Sequence, residues 1–320
     1  MHTTQQLKTS QLGGTGLEIT RVGFGAWAIG GGGWEFGWGP QQDEESIAAI
    51  HRALDLGVNW IDTAAAYGFG RSEQTVGRAL QGLRERPYVF TKSSLLDDGT
   101  RHVRHNLKRD SILREAEGSL RRLGVDAIDL YQIHWPIPEQ DIEEGWAAMA
   151  ELKERGLVRH IGVSNFSASQ LRRIASIAPV ETIQPPYSLI DRAAEAEILP
   201  LAGRDGIGVI VYSPMGSGLL TGGITRERIA AMPGDDWRKT DPRFTEPQLS
   251  RHLAQAARLQ AVAARHGVTP GAVAVAWTLR NPAVDGAIAG FRRPGQVDPI
   301  LTAAGLELTG QDMTEIEAVN

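Results

Sequence analysis

Three polar side chains close apolar runs, and a fourth follows close behind. Asp62 comes after Asn59-Trp60-Ile61, Lys92 after Tyr88-Val89-Phe90-Thr91 and His134 after Leu130-Tyr131-Gln132-Ile133; Tyr67 lies five residues beyond Asp62 in Thr63-Ala64-Ala65-Ala66-Tyr67-Gly68. Each alone has a bland account, since a strand-end Asp caps loops and a strand-end His is commonly a structural hydrogen-bonder. As a set they make coherent chemistry. A phenol with an ordinary pKa of about 10 is a poor proton donor at neutral pH. A Lys ammonium about 4 Å away favours the phenolate by roughly 4 kcal/mol at an effective dielectric of about 20, which draws the phenol toward neutrality before desolvation is counted. Tyr67 is therefore expected to be a general acid poised near physiological pH. Asp62 would hold Lys92 charged and in place, and His134 would donate a hydrogen bond to a carbonyl oxygen. Such a set suits reduction of an aldehyde or ketone, and since no side chain supplies hydride it implies a hydride-donating cofactor.

Positioning these residues requires elements that end on one rim. Short β-branched or aromatic runs recur, each followed by a longer stretch of helical periodicity. Strands are expected at 21–25, 59–62, 88–93, 127–134, 160–164, 182–184, 208–213 and 286–290. Helices are expected at 44–56, 72–80, 108–123, 142–155, 167–175, 193–202, 250–266, 269–279 and 296–304. Ile47, Ile50 and Leu54 share one helix face, as do Ile112, Leu113, Ala116, Leu120 and Leu123. Gly57, Gly124, Gly156 and Gly206 stand just past helix ends, where a left-handed residue is favoured. Strands alternating with helices pair in parallel, and eight such units in this length predict a closed (β/α)8 TIM barrel. A hairpin at 7–18, with Gly13-Gly14 at its middle, is expected to cap the bottom. The stretch 216–247, with Pro233, Gly234, Asp235, Asp236, Pro242 and Pro247, reads as too broken for a helix and follows the seventh strand on the face where barrel enzymes do chemistry. No linker divides the chain, so residues 1–320 are expected to form a single domain.

Composition narrows the function classes. The 320 residues carry 33 Lys+Arg against 38 Asp+Glu, a net charge of −5, which offers no basic field for a nucleic-acid backbone. Cys is absent, removing disulfides, thiolate catalysis and Cys-ligated metals. Residues 1–9 lack the apolar core of a signal peptide, and no uncharged apolar run approaches the roughly 20 residues that span a bilayer. A cytoplasmic protein with neither nucleic-acid nor membrane partners is expected. Gly23-Phe24-Gly25-Ala26-Trp27-Ala28 approximates a dinucleotide-binding fingerprint, but Gly30–Gly33 and Pro40 leave no helix to complete it. His102 and His105 have no third ligand in register, so no metal site is expected, and no G-x-S-x-G elbow is present. The basic residues Arg101, Arg104, Lys108 and Arg109 read either as a solvated loop leading into a helix or as a polar rim that attracts anions.

Asp62-Thr63-Ala64-x-x-Tyr67-Gly68, Thr91-Lys92, Gln132-Ile133-His134-Trp135-Pro136, Gly162-Val163-Ser164-Asn165-Phe166, Gln184-Pro185-Pro186-Tyr187-Ser188 and the run from Tyr212 to Gly222 together resemble the aldo-keto reductase family. The likeness extends from about residue 12 to 304 and looks closest to the bacterial branch that also resembles potassium-channel β-subunits. It implies NADPH-dependent carbonyl reduction by the tetrad Asp62, Tyr67, Lys92 and His134. It assigns Ser164, Asn165 and Gln184 to the nicotinamide carboxamide, Tyr212 to the nicotinamide ring, and Gly25, Ala26 and Trp27 to that end of the site. Ser213, Met215, Gly216, Ser217, Gly218 and Leu219 would wrap the diphosphate. Gly290, Arg292 and Gln296 would meet the adenosine end, with Arg292, and Arg293 beside it, suited to a 2′-phosphate. Where relatives commonly carry Glu and Asn for the adenine amine, this chain has Pro299 and Ile300, which implies weaker binding or adenine held by stacking. The end at Asn320 leaves little room for a long C-terminal substrate loop, so an open pocket is expected. Trp27, Trp34 and Trp135, with Phe36 and Trp38, would give an apolar wall for an aromatic or aliphatic carbonyl. The alternative is a regulatory subunit that senses bound NADPH and turns over slowly.

Overall fold

All eight expected strands form, and they close on one another. The computed structural model describes residues 7–318; residues 1–6 and 319–320 lie outside it, and with them most of the stretch read for a signal peptide. A short antiparallel hairpin, β1 (Thr9–Gln11) and β2 (Glu18–Thr20), precedes β3 (Val22–Gly25), β4 (Trp60–Asp62) and β5 (Tyr88–Ser93). A second hairpin, β6 (Leu95–Asp97) and β7 (Val103–His105), leads to β8 (Ile128–Ile133), β9 (Val158–Ser164), β10 (Thr182–Gln184), β11 (Gly208–Val211) and β12 (Gly286–Gly290). The barrel runs β3-β4-β5-β8-β9-β10-β11-β12, all pairs parallel, and β12 returns to β3 through Ala287↔Val22 to Gly290↔Gly25. The helices are α1 (Asp43–Asp55), α2 (Arg71–Leu80), α3 (Arg109–Leu123), α4 (Ile142–Glu154), α5 (Ala168–Ile174), α6 (Ile198–Asp205), α7 (Arg226–Ala230), α8 (Gln248–His266), α9 (Pro270–Leu279), α10 (Val297–Leu301) and α11 (Gly310–Glu317).

The two-residue period of a strand explains the site. Ile61, Val89, Tyr131, Val163, Ile183, Val209 and Ala287 join the helices in the large outer core. Their neighbours Trp60, Phe90, Leu130, Ile210 and Ile288 point inward and form a separate cluster with Leu12, Leu17 and Ile19 of the hairpin. That hairpin therefore plugs the lower mouth, as expected. Trp60 fills the bore because Gly23 and Gly286 flank it; a Cβ on Gly23 would lie 2.1 Å from the indole. Two residues further along β4, β5, β8 and β11 the same parity yields Asp62, Lys92, Gln132 and Tyr212, and Gln184 closes β10 on the same side. Alternation alone carries them inward, at the C-terminal rim.

Several boundaries differ from expectation. The helix expected at 193–202 is a 3-10 turn, Ala193–Glu195, followed by α6. Restarting at Ile198 places Pro200 in a first turn, where its missing N–H costs nothing. The helix at 296–304 likewise breaks into α10 between two 3-10 turns, with Pro299 in the first turn of α10. The 216–247 stretch does hold a helix, the five-residue α7, started by Thr225 accepting from Arg228 N; the expectation of none was wrong. Arg104 lies in the β6–β7 hairpin rather than in a simple loop, and α11 was not foreseen. Lys108 pairs with Asp141 and Glu144, Arg109 with Glu151, and Arg101 sits over Phe69, so three of the four basic residues are spent on their own surroundings.

Candidate active site

The three strand-end residues and Tyr67 meet. Lys92 Nζ donates to Asp62 Oδ1 at 2.5 Å and to Thr63 O at 3.0 Å, and stands 3.4 Å from the Tyr67 hydroxyl. Lys92 and Asp62 are almost wholly buried. The other Asp62 oxygen accepts from Gln184 Nε2 at 2.8 Å, so the carboxylate is held on both sides. The His134 ring packs edge-on to Tyr67 with centroids 5.7 Å apart, and its Nδ1 is buried with no partner among the described residues. Tyr67 reaches the group because the loop after β4 turns at once, with Tyr67 N bonded to Ala64 O and Gly68 in a positive-φ conformation against Gly30.

The electrostatics correct the expected phenol. Burial, then the nearby charge of Asp62, pushes Tyr67 well above its ordinary pKa rather than toward neutrality. Lys92, matched by Asp62 at 2.5 Å and 3.4 Å from the hydroxyl, does not offset that rise. Burial lowers Lys92 below the usual ammonium value, while Asp62 and Glu73 hold it up. His134 is pushed well below its ordinary value by burial and then by Lys92, so it is neutral. The site thus holds a protonated phenol, a matched ion pair and a neutral imidazole.

Ser164, Asn165, Gln184 and Tyr212 form one chain beside the tetrad. Tyr212 donates to Asn165 Oδ1, Asn165 Nδ2 donates to Ser164 Oγ and His134 O, and Ser164 donates to Gln184 O. Gly25 and Gly290 pair at adjoining strand ends, and a Cβ on Gly290 would meet open space. After β11, Ser213, Gly216, Ser217 and Gly218 all take positive φ, and the buried Ser217 Oγ has no partner among the described residues. Consecutive residues of this kind turn peptide N–H groups to one side and suit an anion; the strip fits a cofactor diphosphate. Leu219 belongs to a small core with Ile224, Met232, Phe244 and Leu249, so only its backbone is open to such a role. Gln296 Oε1 accepts from Arg292 N and Arg293 N, shaping the turn after β12. All three Arg292 guanidinium nitrogens are engaged, on Gln41 Oε1, Trp38 O and Pro40 O, whereas Arg293 is exposed.

Trp27 stacks over Tyr67 at 6.2 Å and over Trp237 at 5.2 Å, with Trp38 edge-on to both indoles. Trp34 packs against Tyr67 but is 6% exposed, more wall than surface, and Trp135, 37% exposed, stays outside this cluster. Trp237 was not anticipated. It comes from the irregular stretch after β11, tied to the loop after β3 by Trp237 N to Gly37 O and by Gly33 N to Asp235 Oδ2. An indole in an otherwise Gly-, Pro- and Asp-rich segment on the catalytic face was the available signal.

Residues 21–320 match the sequence profile of the Aldo/keto reductase family. The chain is 40% identical over 316 residues to the aldo-keto reductase YhdN of Bacillus subtilis, spanning 98% of this chain and 93% of that one. It is 37% identical to the NADH-specific methylglyoxal reductase of Escherichia coli, over 96% and 97% of the two chains. The glycerol dehydrogenase AKR11B4 from Gluconobacter oxydans superposes with a TM-score of 0.86 at 39% identity, covering 97% of this chain and 94% of that one. The chain belongs to the aldo/keto reductase family. Its reaction is accordingly the interconversion of a carbonyl and an alcohol with a nicotinamide nucleotide. In this reductase Pro299 and Ile300 are taken up by the fold: Pro299 O accepts from Thr269 and Thr302, and Ile300 is buried. Among the described residues no helix is long and apolar enough to cross a membrane, and no cluster of His, Asp and Glu could hold a metal.

Proposed function

We propose that Asp62, Tyr67, Lys92 and His134 reduce an aldehyde or ketone, with Tyr67 as the proton donor. The observation that carries this is Lys92 Nζ seated between Asp62 Oδ1 and the Tyr67 hydroxyl. Ser164, Asn165, Gln184 and Tyr212 would hold the nicotinamide and residues 213–218 the diphosphate of a nucleotide that would supply the hydride. Tyr67 passes its proton to the carbonyl oxygen; its raised pKa keeps it protonated, and a developing alkoxide is basic enough to take the proton from a phenol. Lys92 steadies the phenolate left behind, and Asp62, gripped by Gln184, keeps that ammonium charged and still. Neutral His134 orients the carbonyl oxygen without adding a positive charge. Trp27 and Trp237 offer an apolar face for an aromatic or aliphatic substrate.

NADPH is the proposed donor. Arg292 is lowered by burial and then by the charges of Arg238 and Arg293, against which Asp236 and Glu45 offer partial relief. Exposed Arg293 beside Arg292 makes this end of the site cationic, which favours the more highly charged nucleotide. We further propose that the whole chain works as one domain in the cytoplasm, α11 being fastened to α8 through Asp312 with Arg265 and His266. Within the family we assign it to the branch resembling potassium-channel β-subunits, on the Gly162–Phe166 and Tyr212–Gly222 motifs.

Steady-state oxidation of NADPH across aromatic, sugar, steroid and short-chain carbonyls tests the reading. Tyr67→Phe is expected to lower kcat by about 10³-fold or more while NADPH affinity stays within about twofold. A variant that reduces nitrobenzaldehyde at the parental rate removes Tyr67 as the acid. NADH in the same assay is expected to give a kcat/KM at least about tenfold lower, and equal values would withdraw the preference.

A further inference from the structure

The backbone that presents Lys92 is gripped from outside the barrel by two buried acids. Glu73, on α2, is fully buried. One of its oxygens accepts from Thr91 Oγ1 at 2.6 Å, and the other from Arg122 Nε of α3 at 2.6 Å. Glu115, on α3, is 7% exposed and accepts from Ser94 N at 2.8 Å and from Ser111 Oγ at 2.9 Å. Thr91 and Ser94 bracket Lys92, and Ser94 takes a φ of 80°, a left-handed geometry uncommon for a residue with a side chain. Because alternate residues of β5 face opposite sides, Thr91 meets the helices while Lys92 meets the site.

A buried carboxylate is costly and persists where it is matched. Arg122 matches Glu73 only in part, since its side chain is 28% exposed and faces water. The remaining field of Glu73 crosses a single strand to Lys92, the charge that burial most disfavours. We propose that Glu73 is a positioning residue for Lys92: through Thr91 it fixes the strand that carries the ammonium, and its charge keeps that ammonium protonated. This rests on Lys92 belonging to the active site, as read above.

The groups that set the balance come from every element in contact. Asp62 of β4, Tyr67 of the following loop and His134 after β8 face Lys92; Arg122 and Glu115 of α3 and Tyr131 of β8 face Glu73. Burial raises Glu115 to about 7, and Glu73 adds to that rise. Burial lowers Lys92, with Asp62 and Glu73 opposing. Removing the Glu73 charge therefore moves the loss of the Lys92 proton to lower pH.

The test is a pair of titrations on Glu73→Gln, which retains a hydrogen-bonding group toward Thr91 and removes the charge. The protein has five lysines, so the Lys92 signal in a 13C-lysine NMR titration of cofactor-free protein is assignable by its loss in Lys92→Arg. Its midpoint is expected to fall by about one pH unit, and the alkaline limb of kcat to shift down with it while KM stays within about twofold. Glu73→Asp, which keeps the charge, restores the midpoint. Should Glu73→Gln not fold, the Glu73→Gln/Arg122→Met pair leaves no ion unmatched and shifts the same way. An unmoved NMR midpoint in the folded Glu73→Gln variant overturns the proposal, and so does a Thr91→Val variant that leaves kcat unchanged. Absence of carbonyl turnover by the parent would instead overturn the reading of the site and leave the NMR result standing.

Discussion

The two ends of the barrel bore are built from the same strands and do opposite work. At the lower end Trp60, Phe90, Leu130, Ile210 and Ile288 pack against the hairpin residues Leu12, Leu17 and Ile19. Two residues later on β4, β5 and β8 stand Asp62, Lys92 and Gln132, joined by Gln184 of β10, buried too but held largely by one another. A polar group away from water needs a partner, and the upper end meets that need with a network whose unmatched atoms, His134 Nδ1 and Ser217 Oγ among them, lie beside the rim. Burial is common to both ends; what differs is whether the buried atoms are satisfied by packing alone or only by specific partners. The first kind of interior stabilises, and the second is poised for a ligand.

That contrast can be broken by mutation. Trp60→Ala should cost about 3–5 kcal/mol of stability, read by urea unfolding, because Gly23 and Gly286 have no side chains with which to refill the bore. The folded variant should keep kcat within about twofold, and a tenfold loss would show that the two ends are coupled. A smaller effect is expected at Trp237→Ala, which removes one face of the Trp27 stack: KM for an aromatic aldehyde should rise about tenfold with little change in unfolding midpoint. An unchanged KM would take the substrate wall away from this indole. The smallest effect concerns pH. With Tyr67 raised and His134 lowered, neither changes protonation near neutrality, so the reductive kcat should vary by less than about twofold between roughly pH 6 and 8. It should fall on the alkaline side as Lys92, lowered from the ordinary ammonium value, gives up its proton. An acidic limb close to neutrality would mean that His134 is charged in the working enzyme.

Much of the upper end was legible before any coordinates. A rim that collects C-terminal strand ends and four residues of suitable chemistry were enough to expect Asp62, Tyr67, Lys92 and His134 together. Two features escaped. The direction of the Tyr67 pKa turned on its burial and then on the nearness of Asp62, which residue order does not contain. Trp237 and the β6–β7 hairpin lie in segments without a period, where local pattern has nothing to repeat and the tertiary neighbours choose the conformation.

The order of amino acids by itself determined the strand–helix alternation, the inward parity of the rim residues and the family they mark, because these depend on local period and residue type. The folded chain alone decided which charges neutralise one another, that Arg292 spends its donors on the 38–41 loop, and that Glu73 reaches Thr91 behind Lys92. Those outcomes depend on distances between segments tens to hundreds of residues apart, and electrostatic energy is set by distance.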